Sequence, residues 1–263
     1  MLRKNRVYRT DSKKPFPLSR TKFDLFINCK RCFWLDIVKG LNQVKFAPFT
    51  LNIAVDALFK NEFDFYRASK EKHPLFIEKD LNYIPFSDSR LDDWRNNFVG
   101  VRYIDEDLNL ELFGAVDDLW LNLDTNKVVV VDYKATSKAG EINISDDGWW
   151  PAYKRQMEFY QFLLINNNLE VDEVGYFLYA NGLKEGFLNR NDIPMLQFDL
   201  TLLEYKGSTK WIPKKLKELK SLLSSDKIPE PTSDCDYCRY FEDRQESFRK
   251  LNYGHNLEFE FNE

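Results

Sequence analysis

Asp132 and Lys134 stand two positions apart in the run GAVDDLWLNLDTNKVVVVDYKA (114–135), and Asp117 precedes them on what reads as the neighbouring strand. In an extended chain, residues i and i+2 share a face, so a carboxylate and an ammonium project together while Tyr133 points away. A turn at Asp124-Thr125-Asn126 folds the strand that starts at Gly114 alongside, which brings Asp117 to the same end of the sheet. Carboxylate oxygens are hard ligands that hold Mg²⁺ or Mn²⁺ with water positions left open. Such an ion acidifies water and neutralises charge building on phosphoryl oxygens. A nearby lysine orients or helps deprotonate the attacking water. Hydrolysis of a phosphodiester needs this set. D-x-K alone also arises in ordinary hairpins with solvated acids; the G-x-x-D run before it strengthens the reading.

The following segment reads RQMEFYQFLL (155–164), with Gln156 and Tyr160 at i and i+4 on one helical face. G114-x-x-D117, then D132-Y133-K134 on a strand, then Q156-x-x-x-Y160 on a helix resembles the RecB-like branch of the PD-(D/E)XK nuclease superfamily. The resemblance extends more weakly from about residue 19 to 240. It implies a restriction-endonuclease-like core, a central mixed sheet flanked by helices. It also implies roles: Asp117 and Asp132 as metal ligands with the backbone carbonyl of Tyr133, Lys134 as the catalytic lysine, and Gln156 and Tyr160 bracing the site or the DNA backbone. The family's first motif is a helix His or Glu. Here the helix reads TLNIAVDALFKNEFD, so Asp56 falls at that place, with Glu62 as the fallback; a solvated helix acid is the plainer account of Asp56. The implied activity is a Mg²⁺- or Mn²⁺-dependent exonuclease on single-stranded DNA ends. Its partners would be other proteins of a recombination or CRISPR adaptation complex.

Four cysteines form two C-x-x-C pairs, Cys29/Cys32 and Cys235/Cys238, at opposite ends of the chain. Four thiolates in two clamps satisfy a tetrahedral site, and such pairs commonly mean structural zinc. The resemblance points instead to a [4Fe–4S] cluster tying the two ends together, although the family spaces its cysteines one and then three. Cluster and zinc both remain open on the sequence. Disulfides are not expected in a chain without secretory features.

The elements that must position these residues follow from periodicity. Residues 19–40 read as one helix, started by a box of Thr21 and Asp24 and stopped at Gly40. A second helix covers 51–69 with Ile53, Ala57, Leu58 and Phe65 on one side, and a short one covers 88–97. Strands at 99–104, 108–113, 116–123 and 127–133 form an antiparallel meander. A helix at 151–166, strands at 174–179 and 195–200, and a lysine-rich helix at 208–223 complete an α/β or α+β fold around one core. The lysine face could track phosphate, or be simply solvated opposite Trp211, Leu216, Leu219 and Leu223. Trp149-Trp150-Pro151 reads as a helix start that could also stack on single-stranded DNA.

The chain has 263 residues, 43% hydrophobic and 30% charged, enough for a sizeable core and unlike a disordered or disulfide-dependent chain. Its formal charge of −4 gives no global basic field. Residues 1–22 nevertheless carry eight Lys and Arg against Asp11 alone, so residues 1–18 read as a basic arm and 19–263 as a single nuclease domain. No apolar run approaches a membrane span and no phosphate-binding Gly-rich loop occurs, so a cytoplasmic location is expected and an intrinsic ATPase is not. A nuclease-fold module that binds or scaffolds DNA without cleaving it is the rival reading. A purely structural metal protein is a third.

Overall fold

The computed structural model describes residues 7–44, 47–185, 189–190 and 193–251. The first part of the basic arm, residues 1–6, lies outside the described residues. The end of that arm forms β1 (Phe16–Ser19), which leads into α1 (Arg20–Asn28). Ser19 Oγ accepts from the Lys22 amide at 3.3 Å, so Ser19 caps this helix and the expected Thr21 box is not used. The single helix expected over 19–40 is two helices. Cys29 takes extended angles (φ −155°, ψ 109°) and restarts the chain as α2 (Lys30–Ile37), with its sulfur accepting from the Cys32 amide. Gly40, at φ +71°, lies in the left-handed region that stops the segment.

α3 (Thr50–Ser69) matches its expected extent but not its expected face. Val55, Phe59 and Phe63, at i, i+4 and i+8, are buried, whereas Ile53, Leu58 and Phe65 are 58%, 62% and 66% exposed. α4 (Pro74–Glu78) and β2 (Tyr83–Pro85) follow, and the short helix expected over 88–97 is one turn, α5 (Leu91–Arg95).

Next come β3 (Val101–Asp105), β4 (Leu110–Gly114), β5 (Asp118–Asn122) and β6 (Lys127–Thr136). The expected meander is instead two antiparallel hairpins placed in different sheets. One sheet is β1-β4-β3, with β1 parallel to β4. The chain continues through α6 (Trp150–Ile165), β7 (Val174–Gly182), the small hairpin β8 (Asn189–Arg190) and β9 (Ile193–Pro194), β10 (Phe198–Lys206), α7 (Ile212–Leu223) and α8 (Asp236–Lys250). The strand expected at 195–200 starts later and is longer, pairing along the whole of β7.

The central sheet is mixed, ordered β10-β7-β6-β5-β2, with β6 and β7 parallel and the other neighbours antiparallel. A parallel pair needs a crossover, and α6 provides it. Strand alternation divides β6 between two layers. Val129, Val131 and Tyr133 pack with Val55, Phe59, Phe63 and Trp120 on the α3 side, while Asp132 meets α6 through Gln156 on the other. This is the restriction-endonuclease-like arrangement of a mixed sheet flanked by helices.

The described chain forms two compact units. Within the described residues, the larger lies in 11–24 and 47–220 and holds all the strands; the smaller lies in 7–10, 25–44 and 221–251 and holds α2, α8 and all four cysteines. No described helix is long and apolar enough to cross a membrane.

Candidate active site and metal centre

The first paired position between β5 and β6 is Asp118 opposite Val131, so Asp117, one step earlier, falls opposite Asp132. Asp117 sits in the link between β4 and β5 and not on the strand where the sequence placed it. Its Oδ2 accepts from the backbone N–H of Tyr133 at 2.9 Å. Asp132 is fully buried. Its Oδ1 accepts from Gln156 Nε2 at 2.6 Å, and its Oδ2 is ion-paired with the Lys134 ammonium. Gln156 Nε2 also reaches the Tyr160 hydroxyl at 3.3 Å. Asp117, Asp132, Lys134, Gln156 and Tyr160 are therefore together.

Electrostatics follow from that crowding. Burial and the charge of Asp132 push the Asp117 carboxyl up to about 6, against the opposing pull of Lys134, Lys60 and the Tyr133 amide. Burial works against the Lys134 ammonium, but Asp132 and Asp117 outweigh it and hold the lysine above its usual value. Its ammonium also lies 4.6 Å from the centre of the Tyr153 ring.

Asp56 shares a cleft of about 100 Å³ with Lys134, Tyr133 and Tyr153. It is ion-paired with Lys60 at 2.8 Å, and burial followed by the nearby Asp117 charge raises its carboxyl. Glu62 turns elsewhere and meets His73 Nε2 at 3.0 Å. Carboxylate oxygens of this kind suit a hard divalent cation, although among the described residues the four thiols form the one group of three or more such ligand atoms drawn close together. Asp117 and Asp132 lie opposite each other, and Asp56 lines the neighbouring cleft.

Two participants escaped the sequence reading. Arg20, counted there only among the basic residues of the chain start, is hydrogen-bonded to Tyr160; burial opposes its charge, but Tyr160, Asp24 and Asp132 raise it further. Asp118, next to Asp117, faces away. Its carboxylate takes Arg67 at 2.5 Å, Arg95 and the Tyr133 phenol at 2.7 Å, and both arginines also pair with Asp64. The paired acids Asp117-Asp118 at a strand start were the available signal, since alternation sends neighbours to opposite faces.

A groove of about 970 Å³ opens beside Lys134, lined by Arg20, Lys138, Trp149, Trp150, Tyr153 and Gln156 among others. Trp150 packs edge-on against Phe177 at 5.3 Å, consistent with a helix start, while Trp149 is 76% exposed. On α7 the buried residues are Ile212, Leu216, Leu219 and Leu223, with Lys214 and Lys217 facing solvent.

In the smaller unit the four sulfurs converge, all within 4.8 Å of one another. Cys29, Cys32 and Cys238 are buried and Cys235 is half-buried. Burial would raise the Cys29 thiol, but hydrogen bonds from the Thr232 and Cys32 backbone and from neighbouring thiols lower it to about 7.

No curated protein matches the chain. A family profile, that of the PD-(D/E)XK nuclease superfamily, matches residues 50–242. This span covers α3, the carboxylates, Lys134, Gln156, Tyr160 and the second cysteine pair. Members of that superfamily are typically metal-dependent nucleases. With well over half of its length matched by the profile, the chain belongs to the PD-(D/E)XK nuclease superfamily.

Proposed function

We propose that the chain is a Mg²⁺- or Mn²⁺-dependent deoxyribonuclease of the RecB-like branch, a cytoplasmic exonuclease acting on single-stranded ends in recombination, repair or CRISPR adaptation. The observation that carries this reading is Asp132: a fully buried carboxylate, ion-paired with Lys134, hydrogen-bonded by Gln156 and opposite Asp117. Asp117 and Asp132 would ligate the cation with the Tyr133 carbonyl, and Asp56 would complete the set. When bound, the cation supplies Lewis acidity that activates water and offsets charge on the phosphoryl group.

The remaining work belongs to side chains. Lys134 orients the attacking water and offers its ammonium to the phosphoryl oxygens. Gln156 holds Asp132 through its 2.6 Å bond, and Tyr160, itself hydrogen-bonded by Arg20, accepts from Gln156. Arg20 and Lys138 line the groove where a phosphate backbone would run, and the exposed Trp149 offers a stacking face for an unpaired base. Other proteins of the end-processing complex are the partners this reading expects.

Labelled single- and double-stranded DNA with free or blocked ends, incubated with Mg²⁺ or Mn²⁺, tests the proposal. Free single-stranded ends should be degraded. Lys134→Ala and Asp117→Ala should each lower the rate by about 10²-fold or more with unchanged circular dichroism. Cleavage that survives both substitutions would refute the assignment.

One observation favours a second reading, a nuclease-fold DNA-binding or scaffolding module. Asp56 is already held by Lys60 and Glu62 is held by His73, so both acids that the sequence offers for the first motif have partners. Salt-sensitive DNA binding without any product would support that reading instead.

A further inference from the structure

We infer that the four cysteines hold a single tetrahedral zinc ion, and not the [4Fe–4S] cluster that resemblance to RecB-like nucleases implies. The number of thiolates does not discriminate, because either group takes four. Their spacing does.

Cys29 Sγ lies 3.8 Å from Cys238 Sγ, and Cys32 Sγ lies 3.6 Å from both Cys235 Sγ and Cys238 Sγ. Four sulfurs about 2.3 Å from one central ion, at tetrahedral angles, stand about 3.8 Å apart. In a cube each thiolate binds a different iron and points outward from its own corner, so the sulfurs stand roughly 6 Å apart. Every separation here is at or below 4.8 Å. The cage is too tight for four irons and the right size for one ion.

The backbone around the cage agrees. Each C-x-x-C pair starts a helix: Cys29 is the N-cap of α2 and Cys235 the N-cap of α8. The Cys32 amide points at Cys29 Sγ at 3.5 Å, which favours thiolate at Cys29, while burial raises the Cys32 and Cys238 thiols. Arg31 joins the two segments. Its Nε donates to the Pro229 carbonyl at 2.9 Å, and its guanidinium reaches Glu242 at 3.0 Å. Zinc binding displaces the thiol protons to solvent, up to four per ion, with no change of oxidation state.

The test uses the full chain, expressed with both iron and zinc supplied, purified without oxygen and assayed for zinc, iron and acid-labile sulfide. The expected result is one zinc per chain, no labile sulfide and no absorption band near about 400 nm. Replacement by Co²⁺ should give the intense visible bands of a tetrahedral tetrathiolate, a readout on the intact protein. The double change Cys235→Ser with Cys238→Ser should lose the zinc. Brown protein with four irons and four sulfides per chain, either as purified or after anaerobic incubation with iron and sulfide, would overturn the inference. None of these readouts involves DNA cleavage, so the inference stands or falls separately from the nuclease reading.

Discussion

Tyr133 donates its backbone N–H to Asp117 Oδ2 at 2.9 Å while its phenol donates to Asp118 Oδ2 at 2.7 Å. One residue thus holds two adjacent acids on opposite faces of the sheet. The amide side is the candidate active site. The phenol side is a buried cluster in which Arg67 and Arg95 are shared between Asp118 and Asp64. Burial, then the charge of Asp118, raises the phenol well above its usual range, so it stays a donor.

Asp118→Ala should therefore be among the most destabilising single changes, because it leaves two buried guanidiniums short of a counter-charge. A loss of about 3–5 kcal/mol is expected by urea unfolding. Tyr133→Phe removes one hydrogen bond from the same carboxylate and should cost only about 1–2 kcal/mol. Equal effects would show that the arginines do not depend on Asp118.

The raised Asp117 carboxyl sets a pH dependence with a definite sign. Its folded-state value of about 6 exceeds the ordinary carboxylate value of about 3.9, so between them the folded chain keeps a proton the unfolded chain has released. Stability then falls as pH rises through that window. With chelator present, Asp117→Asn should be more stable than the wild type at pH 8, and the gap should close near pH 4. Added Mn²⁺ should stabilise the wild type and leave the variant nearly unchanged. A variant less stable than the wild type at pH 8 in chelator would contradict this account.

Gly114 explains why the G-x-x-D run begins with glycine. A Cβ there would lie 2.8 Å from Tyr160 Cε1 and 3.3 Å from Arg20 Cβ. Gly114→Val should displace Tyr160 and, through it, Gln156 and Asp132. The expected outcome is a loss of cleavage by about 10-fold or more together with weaker Mn²⁺ binding by calorimetry. Binding and cleavage unchanged in a folded variant would rule out this role.

Glu158, buried on α6, accepts from the Tyr205 hydroxyl at 2.8 Å, the Ser208 amide at 3.0 Å and Trp211 Nε1 at 2.6 Å. It joins α6, β10 and the segment leading into α7. Glu158→Ala strands all three donors and should lower stability by about 3 kcal/mol in urea unfolding. Glu158→Gln, which keeps one carbonyl acceptor, should cost less.

The sequence carried the local geometry of the candidate site clearly because its parts are local. D-x-K needs only strand alternation and Q-x-x-x-Y only helical spacing, and both hold at Asp132/Lys134 and Gln156/Tyr160. The face of α3 was misread because that helix is apolar on two sides: Ile53, Leu58 and Phe65 compete with Val55, Phe59 and Phe63, and only the sheet decides between them. The break at Cys29 was hidden because no Gly or Pro marks it. The split of the meander was hidden because the link 115–117 looks like strand, and its change of sheet is a tertiary event. Asp118 was passed over because its meaning depends on Arg67 and Arg95, 51 and 23 residues away.

The crossover between β6 and β7 is built from two parts of unequal freedom. α6 is pinned, since it carries Gln156 and Tyr160 and lies so close to β7 that Gly175 has no room for a methyl group beside Met157. The segment 139–149 before it has no strand or helix pairing, yet Glu141, Asn143, Ser145 and Trp149 form part of the groove wall. Insertions or exchanges in that segment can reshape the groove wall while Asp132, Lys134 and Gln156 stay put, which makes it the natural place to vary the lining of this scaffold.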